Sequence, residues 1–204
     1  MIVQKCVNNI VTLVIDRPEK ANALNEEMLV RLAQELDAAA NSPARAVILT
    51  GRGKVYSAGA DLDEAREGLI GSESWARLSA RMATMPCLTI AAINGTMAGG
   101  AFGVTIAADL RIAVPEAEMF YPVMRLGYLP PDGDARRLAS LVGPARAKML
   151  LMAGQKISAR DALGWGLVDR LTPRDQLIDD AIGLAKDVVS ASPDNVMAIK
   201  AMIA

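Results

Sequence analysis

Two glycines are the residues of this chain best placed to do chemistry. Gly99 and Gly100 stand inside Asn94–Asp109, NGTMAGGAFGVTIAAD. An apolar β-branched run, Cys87–Ile93, precedes them, and a chargeless small-residue segment, Ala101–Ala108, follows. The run reads as a buried strand, Asn94-Gly95 as a turn and the segment as a helix. Glycines at a helix start let another molecule approach the backbone closely. The first N–H groups there have no partner within the helix, and the positive end of its dipole lies behind them. Such a place binds an anion, or an oxygen that becomes one during a reaction. A second small-residue loop, Tyr56–Leu62 (YSAGADL), repeats the order of strand, loop and helix start.

Three other readings of the glycine segment are open on these residues alone. No charge occurs between Arg81 and Asp109, long enough for a membrane span, but Pro86, Asn94 and the glycines divide the stretch in two. A dinucleotide fingerprint needs Gly-x-Gly-x-x-Gly, and Gly99, Gly100 and Gly103 form Gly-Gly-x-x-Gly instead. Close packing of helix on sheet would also select glycine.

The composition narrows the chemistry. Histidine is absent, which removes Ser-His-Asp and Cys-His catalysis and any histidine-based metal site, so no metal is expected. Proton transfer is left to Asp, Glu, Lys and Tyr. Cys6 and Cys87 lie in strand-like runs and read as buried, inert thiols. A net charge of -1 without long runs of one sign gives no electrostatic case for nucleic acid or an anionic membrane surface. Aromatics are 3% of residues, so the core must be built from aliphatic side chains, Ala and Met. MIVQKCVNN has no basic segment leading into an apolar one, and a cytoplasmic protein is expected.

The elements that must position the two loops follow in alternation. Ile2–Val7 and Ile10–Asp16 predict a hairpin about Asn8-Asn9. Asn25 is an N-cap for a helix with Leu29, Leu32, Ala33, Leu36 and Ala40 on one face. Ala46–Thr50 is a buried strand, Leu62–Arg66 a short helix, and Trp75, Leu78, Met82 and Met85 mark an amphipathic helix ending at Pro86. Asp109–Val114 and Glu118–Tyr121 read as strands, Asp134–Val142 and Pro144–Ala153 as helices. Ser158 caps a helix to Gly164, Leu167–Leu171 is a strand, Asp175–Ser190 is helical, and a last helix starts near Pro193. The class is α/β with a buried sheet, in one domain over 1–204.

Four ordered motifs then carry a resemblance. RPEKANAL (Arg17–Leu24), SAGADL (Ser57–Leu62), AAINGTMAGGAFGVTIAADLRIA (Ala91–Ala113) and GQKISARDALGWGLVDRL (Gly154–Leu171) resemble the crotonase, or enoyl-CoA hydratase/isomerase, family. The resemblance implies a spiral of ββα units as core over about 1–172, with a shortened C-terminal helical region over about 173–204. It implies an acyl-CoA thioester as substrate, with CoA entering as part of it and no permanently bound cofactor. It also implies assembly as a homo-oligomer, a trimer or a hexamer of two trimers, here expected through the helices between Ala135 and Ala153. By the family pattern the backbone N–H groups of Ala60 and Gly100 form an oxyanion hole for the enolate. Lys20, Ala21 and Ala23, with Ala58, Gly59, Ala60, Asp61 and Leu62, would cradle CoA. Lys20 as a solvated loop lysine and Asp61 as a helix-capping residue are the plain alternatives.

The sequence departs from that pattern where the hydratases carry two glutamates. The first position falls on Gly103 and the second on Val123. Pro130-Pro131-Asp132-Gly133-Asp134 stands where the family usually has a glycine-rich turn, and Asp132 is the candidate base, against a turn aspartate that caps the next helix. An isomerase or lyase is therefore expected over an efficient hydratase. The alternative is a non-catalytic acyl-CoA binding protein that has lost the glutamates.

Overall fold

The computed structural model describes residues 1–131 and 133–203. Strands β1 (Ile2–Val7) and β2 (Ile10–Ile15) form an antiparallel hairpin. Asn8 and Asn9 both turn in the left-handed region, which asparagine tolerates. Helix α1 (Glu26–Ala40) is capped by the Asn25 side chain, which accepts from Met28 N–H. Its face of Met28, Leu29, Leu32, Ala33 and Leu36 is buried, as the helical period requires. Strands β3 (Ala46–Gly51) and β4 (Val55–Ser57), then helices α2 (Leu62–Arg66) and α3 (Glu73–Ala83), lead into the centre.

There β5 (Leu88–Ile93), β6 (Thr96–Ala98) and α4 (Ala101–Ile106) succeed one another without an intervening long loop. Strands β7 (Leu110–Ala113) and β8 (Glu118–Phe120) precede the single-turn helix α5 (Val123–Leu126), then α6 (Asp134–Val142) and α7 (Pro144–Leu151). The chain continues through β9 (Ile157–Ser158), α8 (Ala159–Trp165) and β10 (Arg170–Leu171). It ends in α9 (Leu177–Leu184), α10 (Lys186–Ser190) and α11 (Pro193–Ile203).

The strands divide between two sheets, in the orders β1-β2-β3-β5-β7-β10 and β4-β6-β8-β9. Each successive pair, β3/β4, β5/β6 and β7/β8, gives its first strand to the larger sheet and its second to the smaller. Helices follow each pair, so the chain climbs as repeated ββα units. From β2 to β10 the larger sheet is parallel. Its inner strands are buried on both faces, so they are continuously apolar instead of alternating. One hydrophobic cluster runs from Ile10 to Ala185.

Several local expectations are corrected. Strands β4, β6 and β9 have no counterpart in the sequence reading: three residues or fewer cannot display a period, and pairing in the second sheet makes them strands. The expected Asp175–Ser190 helix breaks into α9 and α10 at Ala185, which stays fully buried. Cys87 is buried, but Cys6 is exposed, because β1 is an edge strand with its second half uncovered.

Candidate functional site

The two small-residue loops meet. Leu24 N–H donates to Gly59 O at 2.7 Å and Asp61 N–H to Leu24 O at 2.8 Å, so the loop before α2 is stitched to the loop after β2. This parallel pairing uses the groups on either side of Ala60 and turns the Ala60 N–H the other way. Gly59 has φ +92, and a Cβ there would stand 2.7 Å from Ala98 O and 3.0 Å from Gly100 N. The Gly59–Ala60 backbone therefore lies directly against Gly99–Gly100, at the N-terminus of α4. Among the described residues, neither Ala60 N–H nor Gly100 N–H has a hydrogen-bond partner.

Both residues line an apolar pocket, with Leu62, Trp75, Tyr121 and Val123 among its walls. Trp75 closes the inner end: its indole N–H donates to Leu69 O at 3.0 Å, and its ring lies 2.7 Å from where a Gly100 Cβ would be. Leu62, Leu126 and Leu129 leave large apolar surfaces exposed around the mouth. An exposed apolar rim on an apolar pocket suits an alkyl chain with a polar head outside.

The loop after β2 is held rigid by Asn22 and Arg17, whose roles the sequence reading missed, and by Asp61, which is the helix cap that reading offered. Asn22 is fully buried in the left-handed conformation, accepting from Arg17 N–H and donating to Arg52 O and Val55 O. Arg17 donates to Asp61 Oδ2 at 2.6 Å and to Ala23 O at 3.2 Å. Asp61 is the N-cap of α2, accepting from Asp63 and Glu64 N–H. Burial alone would raise its pKa, but the Arg17 guanidinium and these N–H groups hold the carboxyl below its ordinary value. Asp61 thus joins the two loops and starts the helix behind Ala60. The buried asparagine in a loop was the available signal, since such a side chain usually stands in for backbone hydrogen bonds. Lys20 is exposed, 3.5 Å from Asp63, while Ala23 is buried and Ala58 and Leu62 are exposed.

Asp132 lies outside the described residues. Its neighbour Asp134, at the first position of α6, is fully buried. Arg137 donates to Asp134 Oδ1 at 3.3 Å and Tyr121 hydroxyl lies 3.4 Å from Oδ2. Burial pushes the carboxyl up to about 6, against the opposing pull of Arg137, Tyr121 and Ser79. Burial and the neighbouring Asp134 raise Tyr121 as well. No sequence pattern marked Asp134 as buried, because first-turn aspartates are usually solvated caps.

Residues 5–204 match the sequence pattern of the enoyl-CoA hydratase/isomerase family. The chain belongs to this family. It is 34% identical over 198 residues to a carnitinyl-CoA dehydratase of Salmonella enteritidis, covering 94% of this chain and 75% of that one. A solved enoyl-CoA hydratase from Bacillus anthracis superposes with a TM-score of 0.91 at 33% identity, over 99% of this chain and 81% of that one. Pseudomonas aeruginosa DspI gives 0.91 at 29% identity, over 99% and 85%. The two sheets and their ββα repeat are the crotonase fold. The family acts on acyl-CoA thioesters. The positions read as the hydratase glutamates are occupied by Gly103, in the wholly buried helix α4, and Val123, on the pocket wall.

Proposed function

We propose that the protein is an acyl-CoA isomerase or lyase working through an oxyanion-stabilised enolate. The observation that carries this is the pair of N–H groups, Ala60 and Gly100, without partners among the described residues, on one wall of an apolar pocket. A thioester oxygen placed between them gains hydrogen bonds as it becomes negative, and fixed donors of this kind are each worth a few kcal/mol of barrier. The loop of Lys20, Ala21 and Ala23 and the stretch Ala58–Leu62 would take the CoA portion, with Lys20 leaving its exposed pair with Asp63 to meet a phosphate. Two acid–base side chains facing one water are needed for hydration, and Gly103 and Val123 supply neither. A proton shift or bond cleavage next to the thioester needs only one.

The test is crotonyl-CoA hydration measured beside double-bond isomerisation of 3-butenoyl-CoA. Isomerisation well above hydration is expected, and brisk hydration would refute the proposal. A second reading, a binding protein without catalysis, draws support from the complete shielding of Asp134; it requires acyl-CoA binding with neither reaction. Self-association is part of the same proposal: Met149, Met152, Met197 and Ile199 leave apolar surface exposed on α7, beside its end and on α11. Light scattering should report a homo-oligomer, a trimer or its multiple, and a clean monomer at micromolar concentration would count against it.

A further inference from the structure

Gly103 and Asp134 share one space. A Cβ on Gly103 would stand 2.6 Å from Ser79 Oγ and 3.0 Å from Asp134 Cγ, with Asp134 Oδ2 closer still. A glutamate side chain carries its carboxyl carbon roughly 2.5 Å beyond Cβ, two bonds along. The Asp134 carboxylate therefore occupies the volume that the stem and carboxyl of a glutamate at 103 would fill. Gly103 is one turn along α4 from Gly100, on the same face. Trp75 and Ser79, one turn apart on α3, cover the two glycines in the same order.

The geometry points to Asp134 as the proton-handling carboxylate of this site, moved from α4 to the start of α6 and admitted by the missing side chain at Gly103. This deepens the enolate chemistry proposed above and rests on it. Asp134 has no exposed surface, so it acts through a neighbour. Tyr121 lines the pocket, and its hydroxyl donates toward Asp134 Oδ2. The present 3.4 Å is long, as catalytic hydrogen bonds often are before a ligand seats. In the forward step the α-carbon C–H bond breaks and its electron pair enters the enolate. The proton passes to the Tyr121 oxygen as the Tyr121 hydroxyl proton moves to Asp134 Oδ2. Reversal returns the proton to carbon. Tyr121 would be the catalytic residue and Asp134 the positioning one. The charged or titratable groups at Asp134 among the described residues are Arg137 from its own helix and Tyr121 from beyond β8; α3 and α4 present only Ser79 and Gly103.

The experiment follows deuterium incorporation at the α-carbon of butyryl-CoA in heavy water, with butyryl-CoA affinity by calorimetry and folding by circular dichroism. Asp134→Asn and Tyr121→Phe should each bind butyryl-CoA like the wild type yet exchange roughly 10²-fold more slowly or worse. The wild-type rate should climb with pH through about 6 and then level off, as a base with the Asp134 value requires. The paired exchange Gly103→Glu with Asp134→Gly returns a carboxylate to the same volume and should recover exchange. A folded Asp134→Asn protein that exchanges at the wild-type rate would overturn the assignment. So would a wild-type profile that is flat through about 6, a result available even if Asp134→Asn fails to fold. Wild type that binds no CoA thioester would instead refute the functional proposal beneath it.

Discussion

Asparagine at position 134 should stabilise the folded protein at neutral pH while impairing it chemically. Burial raises the Asp134 carboxyl from 3.8 to about 6, roughly two units. At about 1.4 kcal/mol per unit, the charged carboxylate costs the native state about 3 kcal/mol at pH 7. The sign follows from proton counts: between about pH 4 and about pH 6 the folded chain holds a proton that the unfolded chain has lost. Stability conferred by this site is therefore greatest below the unfolded value and falls as pH rises through the folded one. An amide carries no charge and escapes that penalty, though its own fit against Arg137, Tyr121 and Ser79 adds a contribution that pH does not change. Urea unfolding of both proteins from about pH 4 to about pH 7 separates the two effects. The variant should gain on the wild type by up to about 3 kcal/mol as pH rises, with the gap closing toward about pH 4. A stability difference that is constant with pH would refute the claim that Asp134 is a strained, charged group. Stability held back at a functional position is a common trade.

Gly100→Pro removes the proposed oxyanion donor and puts a ring beside Trp75, so exchange or isomerisation should vanish in a protein that still folds. A folded, fully active variant would exclude Gly100 from the site. Asp61→Ala strips the cap from α2 and leaves Arg17 without its buried partner; chemical denaturation should show a loss of about 2–4 kcal/mol at pH 7. Because the Asp61 carboxyl is held below its ordinary value, that loss should shrink as pH falls below about 4. Gly95→Ala drives a Cβ against the Lys54 backbone, 2.8 Å from its carbonyl carbon and closer to its oxygen, and should cost about 2 kcal/mol or more in the same assay.

Much of the element order is legible in residue types alone. Asn25 and Ser158 cap the helices that follow them, because a short polar side chain before an apolar periodic run has a local use for its oxygen. Ala46–Thr50 and Cys87–Ile93 read as strands through apolar runs rich in β-branched residues, which suit a parallel sheet covered on both faces. The family, and with it the crotonase fold, follows from four motifs in order, and the match over residues 5–204 bears that out. These are properties of neighbours in the chain.

Properties of neighbours in space were decided only by the fold. Two or three residues cannot reveal β4, β6 or β9, whose partners come from distant segments. Cys6 and Cys87 sit in similar runs, but one lies on an edge strand and the other is buried beside α11, where Lys200 donates to its backbone oxygen, and only the packing of the layers separates them. Asn22 looks like a loop asparagine until its side chain is seen replacing the backbone partners of Arg17, Arg52 and Val55. Gly103 and Asp134 are 31 positions apart, and the gap read at Gly103 points to no partner in the sequence. Burial is a sum over every chain segment that packs nearby, and it is burial, with the empty side of Gly103, that makes Asp134 a group of altered charge beside the pocket.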